Sequence, residues 1–412
     1  MRLFRPATQV LVLLCVMYGI TYIDRVNVST AAAGFGQEFH LSRTEIGLVF
    51  SAFAYPYLVF QIIGGWVSDR FGTRHTLIGC ALVWGGATLL TGLAGGLYSL
   101  LLARLLLGFG EGATFPAATA AMSRWVPHGR RGFAQGITHA AARIGNALAP
   151  GVIVLAMQAY GWRMSFFVCA AISFLWVAAW ALTFHENPAQ HPRITKEELA
   201  ALPGAARPAP RGVPWGALVR RMAPVTIVYF CYGWTLWLFL SWLPQYFLHA
   251  YDLDLKKSAL FASSVFVAGV AGDSLGGALT DFLYRRTASL AWARSRMVAV
   301  CMVLAFLSLL PLMVFHQPGI ALASLSAGFF FAEMTIGPMW AVPMDIAPHL
   351  SGTASGMMNT GSALAAIISP VVSGYVIDRT GNWDLPFLGS MALMLAGAAL
   401  TFGMRPDRRF EA

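Results

Sequence analysis

Apolar residues recur along this chain in twelve runs of about 20 residues, each long enough to cross the hydrocarbon core of a bilayer as a helix. Lipid offers backbone N–H and C=O groups no water to bond, so each run must close its hydrogen bonds internally, and a helix does that. Hydropathy predicts spans at residues 9–31, 46–66, 76–95, 97–120, 133–157, 163–184, 223–248, 258–281, 296–316, 318–342, 352–376 and 385–404. Only 11% of the 412 residues are charged, against about 25% in an average soluble domain. An all-α membrane protein with twelve transmembrane helices is therefore the expectation. The opening MRLFRPATQV leads into the first run without a small-residue cleavage site, so that run reads as a span rather than a signal peptide.

Charge orients the spans. With both termini on one side, twenty loop Lys and Arg fall on that side and five (Arg43, Arg163, Lys256, Lys257, Arg379) on the other. The basic side is cytoplasmic by the positive-inside rule, and both termini with it. The net charge of +10 thus reports orientation and not nucleic acid. Three arginines remain, Arg25, Arg104 and Arg143, all inside spans. The five cysteines lie in apolar runs without metal or disulfide spacing and read as packing residues. No G-x-x-x-x-G-K-[ST], H-E-x-x-H or C-x-x-C occurs, so an ATP-driven pump or a membrane enzyme lacks its machinery. No cofactor and no metal is expected.

The polar stretch from His185 to Arg221 separates two sets of six spans, giving an N-terminal half 1–184, a cytoplasmic linker 185–222 and a C-terminal half 223–412. Within it ITKEELAAL is a short helix capped by Thr195, with Glu198 completing a capping box, or else part of a flexible linker. The halves repeat each other. Gly108, Glu111 and Pro116 of span four have counterparts Gly328, Glu333 and Pro338 in span ten. Pro127-His128 pairs with Pro348-His349, Gly136 with Gly356, Pro150 with Pro370, Gly161 with Gly381 and Trp162 with Trp383. Six-span repeats in the same orientation are a transporter architecture.

Span four carries the residues hardest to reconcile with lipid. LLARLLLGFGEGATFP, residues 101–116, holds Arg104 and Glu111, and a charge at bilayer depth costs ~2.5–3.5 kcal/mol on insertion scales. Seven residues apart, they point the same way, while Gly108, Gly110 and Gly112 let another helix come close. They form either the charged lining of a substrate cavity or a buried structural ion pair.

Loop two-three reads GGWVSDRFGTRH, and Gly65, Asp69, Arg70, Gly72 and Arg74 match G-x-x-x-D-R-x-G-x-[RK], so the chain resembles the major facilitator superfamily. A degraded copy, GGALTDFLYRR, keeps Gly277, Asp281, Arg285 and Arg286. Asp69, Arg70, Arg74 and Asp281 are expected to form a conformational latch, with the acid accepting from the amides of a neighbouring helix N-terminus and pairing with a loop arginine.

YIDRVNVS in span one together with R-x-x-x-G-x-G-E-x-x-x-F-P in span four narrows the resemblance to the anion:cation symporters, which include bacterial hexonate, glucarate and tartrate carriers and vesicular glutamate and sialic acid carriers. The resemblance implies that Arg25 binds the substrate anion, that Asp24 and Glu111 are linked to proton coupling, and that Arg104 lies nearby. The chemistry points the same way. Arginine stays protonated and offers a planar fork to a carboxylate, whereas a carboxylate near an arginine can gain and lose a proton. Asp24 has an alternative reading as a structural partner of Arg104.

Other candidates are Tyr22, Tyr55 and Tyr57, whose hydroxyls serve substrate or packing, and Tyr57 fits the family's span-two site best. Arg143 stands where relatives often have glutamine. A third cavity arginine suits a dicarboxylate or another strongly anionic ligand, unless it pairs with an acid such as Glu111. Trp340 and Asn359 match positions that line the family's pocket, while Glu333, Asp273 and His139 read as structural. The resemblance implies a monomeric carrier of the bacterial inner membrane that imports a small organic anion by proton symport through alternating access. An anion exchanger or drug-efflux carrier of the same fold is the alternative, and three intramembrane arginines weigh against a cation-efflux pocket.

Overall fold

The computed structural model describes residues 5–41, 43–203, 213–253 and 255–410. Of the positions used above, all of Arg2, Arg207 and Arg211 and the side chains of Arg43, Pro150 and Lys256 lie outside the described residues. Eleven helices among the described residues are long and apolar enough to cross a membrane. The remaining predicted span, 133–157, falls on the helix Arg131–Tyr160. The fold is the expected twelve-helix one, with six helices to each half of the sequence.

Most spans are single helices: Pro6–Glu38 for span one, Thr73–Gly92 for span three, Trp162–Thr183 for six, Trp215–Ala250 for seven, Leu255–Thr287 for eight, Met297–Val314 for nine, Ser351–Thr380 for eleven and Leu385–Leu400 for twelve. Three are broken. Span two is Arg43–Ala52 then Ala54–Phe71, span four Leu97–Gly112 then Thr114–Trp125, and span ten Pro318–Glu333 then Ile336–Ile346. Each break lies three or four residues before a proline: Pro56, Pro116 and Pro338. A proline ring clashes with the carbonyl four residues earlier and supplies no N–H to it, so the helix yields at that point. The breaks in spans four and ten sit at repeat-related prolines, so the two halves share the device.

Two compact units emerge from the packing. The first comprises Met1–His128, Ala141–Ala209 and His349–Gly356, and the second Gly129–Ala140, Pro210–Pro348 and Met357–Ala412. In the first, span three packs on four and six, span two on four, and span one on six. In the second, span nine packs on ten and twelve, span eight on ten, and span seven on twelve. The packing therefore repeats with the sequence. Gly108 and Gly110 show why span four needs glycine. A Cβ on Gly108 would stand 2.2 Å from the Phe53 carbonyl oxygen, and one on Gly110 would stand 2.7 Å from the Trp84 nitrogen. Backbones touch where those side chains are missing. The linker helix forms as Lys196–Ala201, with Thr195 and Glu198 making the reciprocal capping box.

Candidate functional site

The breaks in spans two and four bring the expected site residues of the first unit together. Arg25 donates through Nε to Oε2 of Glu111 at 2.7 Å. Four rings surround its guanidinium, with Tyr22 and Tyr57 at 4.8 Å, Phe53 at 5.1 Å and Phe115 at 5.3 Å. Phe53 is the break residue of span two, and Phe115 lies one residue before Pro116, so both proline breaks supply ring positions to the box. Aromatic faces hold a cation electrostatically while leaving its N–H edge available for hydrogen bonding.

Arg104 is buried and donates from Nε to the Val49 carbonyl at 3.3 Å, with Phe53 stacked at 5.2 Å. Val49 is in the last turn before the break in span two, where helix carbonyls lack intrahelical donors. Arg143, also buried, lies over the Tyr22 ring at 5.6 Å. Asp24 is buried against span three, where Thr88 Oγ1 donates to its Oδ2 at 3.2 Å. Asn27, one turn on, accepts from Ser165 at 2.8 Å. Among the described residues, Oδ1 of Asp24, Oε1 of Glu111 and Nη2 of Arg25 are buried without a hydrogen-bond partner. A carboxylate oxygen without a donor is costly when charged, and a proton there removes the cost. Tyr55, by contrast, is exposed.

In the second unit Trp340 is buried and donates from Nε1 to the Tyr229 hydroxyl at 2.6 Å, with the His139 ring 5.0 Å away. Asn359 is buried as well. Glu333, the repeat counterpart of Glu111, accepts from the Tyr232 hydroxyl at 2.8 Å. A tyrosine thus occupies the place that Arg25 takes against Glu111. Gly272–Gly276 of span eight reads GDSLG, the lettering of a nucleophile elbow, but it lies mid-helix and Ser274 donates to the Val270 carbonyl at 3.0 Å. A nucleophile elbow needs a strand-to-helix turn, which a continuous helix cannot provide.

The two copies of the loop motif make the same contact. Asp69 Oδ1 accepts from the Gly352 amide at 3.0 Å, and Oδ2 accepts from the Thr353 amide and hydroxyl at 2.7 Å each. Asp281 accepts from the Gly132 and Phe133 amides at 3.0 and 2.7 Å. Each acid therefore sits on the first turn of a helix, Ser351–Thr380 or Arg131–Tyr160, where amides point outward and the dipole favours negative charge. The glycine of the second motif is sterically required, since a Cβ on Gly277 would lie 2.6 Å from the Gly132 carbonyl.

The arginines differ from the motif reading. Asp69 interacts electrostatically with Arg124, whereas Arg70 is exposed. Arg74 binds the end of span six, through its amide to Glu186 at 2.9 Å and through Nη2 to the Ala181 carbonyl at 2.5 Å. Asp281 faces Arg294 at 3.7 Å; Arg294 also binds Asp345 at 2.9 Å, and Arg131 joins Asp345 at 3.1 Å. Arg131, Arg294 and Asp345 are absent from the sequence reading because the charge count sets both arginines among loop charges. Asp345, an acid at the end of the apolar run IGPMWAVPMDI, is the one sequence signal of that buried pairing.

The family model of the Major Facilitator Superfamily matches residues 14–370. A Cupriavidus necator protein named probable sulfoacetate transporter SauU is 46% identical over 402 residues, which cover 97% of this chain and 94% of that protein. The Escherichia coli K12 protein named probable galactarate/D-glucarate transporter GarP is 30% identical, over 93% of this chain and 92% of its own. The crystal structure of FucP in the outward conformation superposes with a TM-score of 0.74 at 15% identity, covering 99% of this chain and all of that one.

Proposed function

The chain belongs to the major facilitator superfamily, and from that membership we propose that it imports a small organic dianion, of the sulfonate–carboxylate kind, by proton symport through alternating access. The membrane is the bacterial inner membrane, with both termini cytoplasmic. Arg25 is the anion anchor, with Arg104, Arg143, Tyr22 and Tyr57 around it. Asp24 and Glu111 carry the coupled proton, and for the second unit the proposal assigns Trp340 and Asn359 to substrate contact.

The observation that carries this reading is the Arg25–Glu111 pair inside a ring of four aromatics, with one glutamate oxygen and the arginine Nη2 lacking a hydrogen-bond partner among the described residues. A substrate carboxylate competes with Glu111 for the guanidinium, and the glutamate it displaces becomes an expensive buried charge unless it takes a proton. Substrate and proton are thereby linked through one arginine. Charge count supports a dianion. Within the first unit, the intramembrane Arg25, Arg104 and Arg143 and the acids Asp24 and Glu111 leave one net positive charge; a dianion reverses it, and one proton brings that set to neutrality. The relative named for sulfoacetate, a substrate with one sulfonate and one carboxylate, agrees with that count.

The test is uptake of labelled sulfoacetate into proteoliposomes under an imposed pH gradient, with galactarate and a monocarboxylate for comparison. Accumulation of the dianion that a protonophore collapses is the expected result. Exchange without net accumulation under any pH gradient contradicts proton symport, and a preference for the monocarboxylate contradicts the dianion.

The acid-on-helix contacts are assigned the role of a latch that opens during the cycle. Asp69→Asn keeps the shape but weakens three charge-assisted hydrogen bonds, and the latched-to-open ratio should fall by about tenfold for each ~1.4 kcal/mol lost. A cysteine at Ser351, which lies beside the latch, in a background without the five native cysteines reports it through maleimide labelling. Labelling should speed up in Asp69→Asn, and unchanged labelling rules the role out.

A further inference from the structure

Spans nine and twelve form an entirely apolar, outward-opening groove of about 390 Å³ lined by Ala299, Val300, Val303, Leu395, Ala399 and Phe402, among others. The lining residues follow two helical faces. On span nine they recur at three- and four-residue steps, and the next position back on that face is Arg296. On span twelve they run from Leu395 to Phe402, and three residues further on comes Arg405. An exposed arginine thus follows each face of the groove at the same, basic end of the spans, Arg405 in the segment that leaves the helix after Gly403. The π-helical segment Ala291–Arg296 that opens span nine packs against 401–403, so these ends are neighbours.

The basic end is built rather than loose. Arg296 stacks on the exposed Trp292 ring at 4.1 Å, which sets an aromatic at the level where tryptophan marks a membrane interface. Arg221 pins the segment after span twelve, donating to the carbonyls of Met404, Arg405 and Arg408 at 2.8, 2.6 and 2.9 Å. Arg408 and Arg409 are exposed nearby, with Asp407 the acid among them. A groove that takes a hydrocarbon chain, capped at one end by interfacial cations, has the polarity of a phospholipid.

We propose that this groove is a binding site for one anionic phospholipid, with an acyl chain along Val300, Val303, Leu395 and Ala399 and its phosphate between Arg296 and Arg405. About two helical turns of groove, ~10 Å by helix rise, receive the upper part of the chain. A zwitterionic lipid of the same chains fills the groove equally but leaves the arginines less well matched, so the headgroup charge sets the preference.

The experiment uses the full chain, delipidated in detergent, and counts retained lipid by native mass spectrometry with palmitoyl-oleoyl phosphatidylglycerol or phosphatidylcholine. Wild type should prefer phosphatidylglycerol by about tenfold, since each basic residue at an anionic headgroup adds roughly fivefold and Asp407 offsets part of it. Arg296→Gln with Arg405→Gln should erase the preference while keeping some of both lipids, and Ala399→Trp, which fills the groove, should remove both. All three positions are exposed, so thermal melting at the wild-type temperature is expected and serves as the folding control. Equal binding of the two lipids by wild type, or an unchanged preference in the double arginine variant, overturns the proposal. So does competition by glycerol phosphate at concentrations matching the lipid, which marks a free-anion site instead.

Discussion

Lysine at Arg25 is expected to damage transport nearly as much as alanine, although it preserves the charge. Arg25 holds Glu111 through Nε at 2.7 Å while its Nη2 has no hydrogen-bond partner among the described residues, and four rings lie 4.8 to 5.3 Å from the guanidinium. A lysine ammonium is a point charge on a flexible stem; it can hold the glutamate or the substrate but cannot offer the same two-sided fork. Losing one charge-assisted hydrogen bond to the substrate costs about 1.5–3 kcal/mol, or about 10- to 150-fold in affinity. Arg25→Ala goes further, leaving Glu111 buried and unpaired at about 3–5 kcal/mol. The measurement is the KM and maximal rate of uptake in proteoliposomes, with melting in detergent to separate misfolding from loss of binding. Uptake at the wild-type KM by the lysine variant removes Arg25 from the substrate site.

The second large effect falls on coupling. Glu111→Gln mimics a permanently protonated side chain and keeps an acceptor for Arg25, so substrate should still bind and exchange across the membrane. Accumulation driven by a pH gradient should vanish, because a carrier that cannot gain or lose the proton cannot draw on the gradient. Counterflow of labelled substrate against gradient-driven uptake separates the two functions. Asp24→Asn is the comparison, since Asp24 accepts from Thr88 and has its own unpaired oxygen. If Asp24→Asn alone abolishes gradient-driven uptake while Glu111→Gln still concentrates substrate, the proton sits on Asp24 and Glu111 only positions Arg25. Should both variants concentrate substrate on a pH gradient, proton symport itself is wrong.

Much of this was legible in the chain. Apolar run length and the charge asymmetry of the loops set the spans, because bilayer thickness and backbone hydrogen bonding act on every residue alike. The repeat of Gly108, Glu111 and Pro116 at Gly328, Glu333 and Pro338 announced two halves, and the matched packing of spans in each unit follows from it. Arg25, Arg104, Arg143, Asp24 and Glu111 stood out because a charge in an apolar run is too costly to be incidental.

What each charge pairs with was settled by tertiary structure. Adjacent positions on a helix differ by ~100°, so Asp24 and Arg25 part company, one toward Thr88 and the other toward Glu111. No spacing rule links residue 25 to residue 111, or 281 to 132. Nor could a loop count tell that Arg131 and Arg294 turn inward to share Asp345 while Arg70 stays exposed. The ring of Phe53 and Phe115 around Arg25 depends on where two proline breaks place their neighbours in space. The prolines at 56, 116 and 338 mark locally where spans two, four and ten yield, and only the packing of the other spans decides what each break faces.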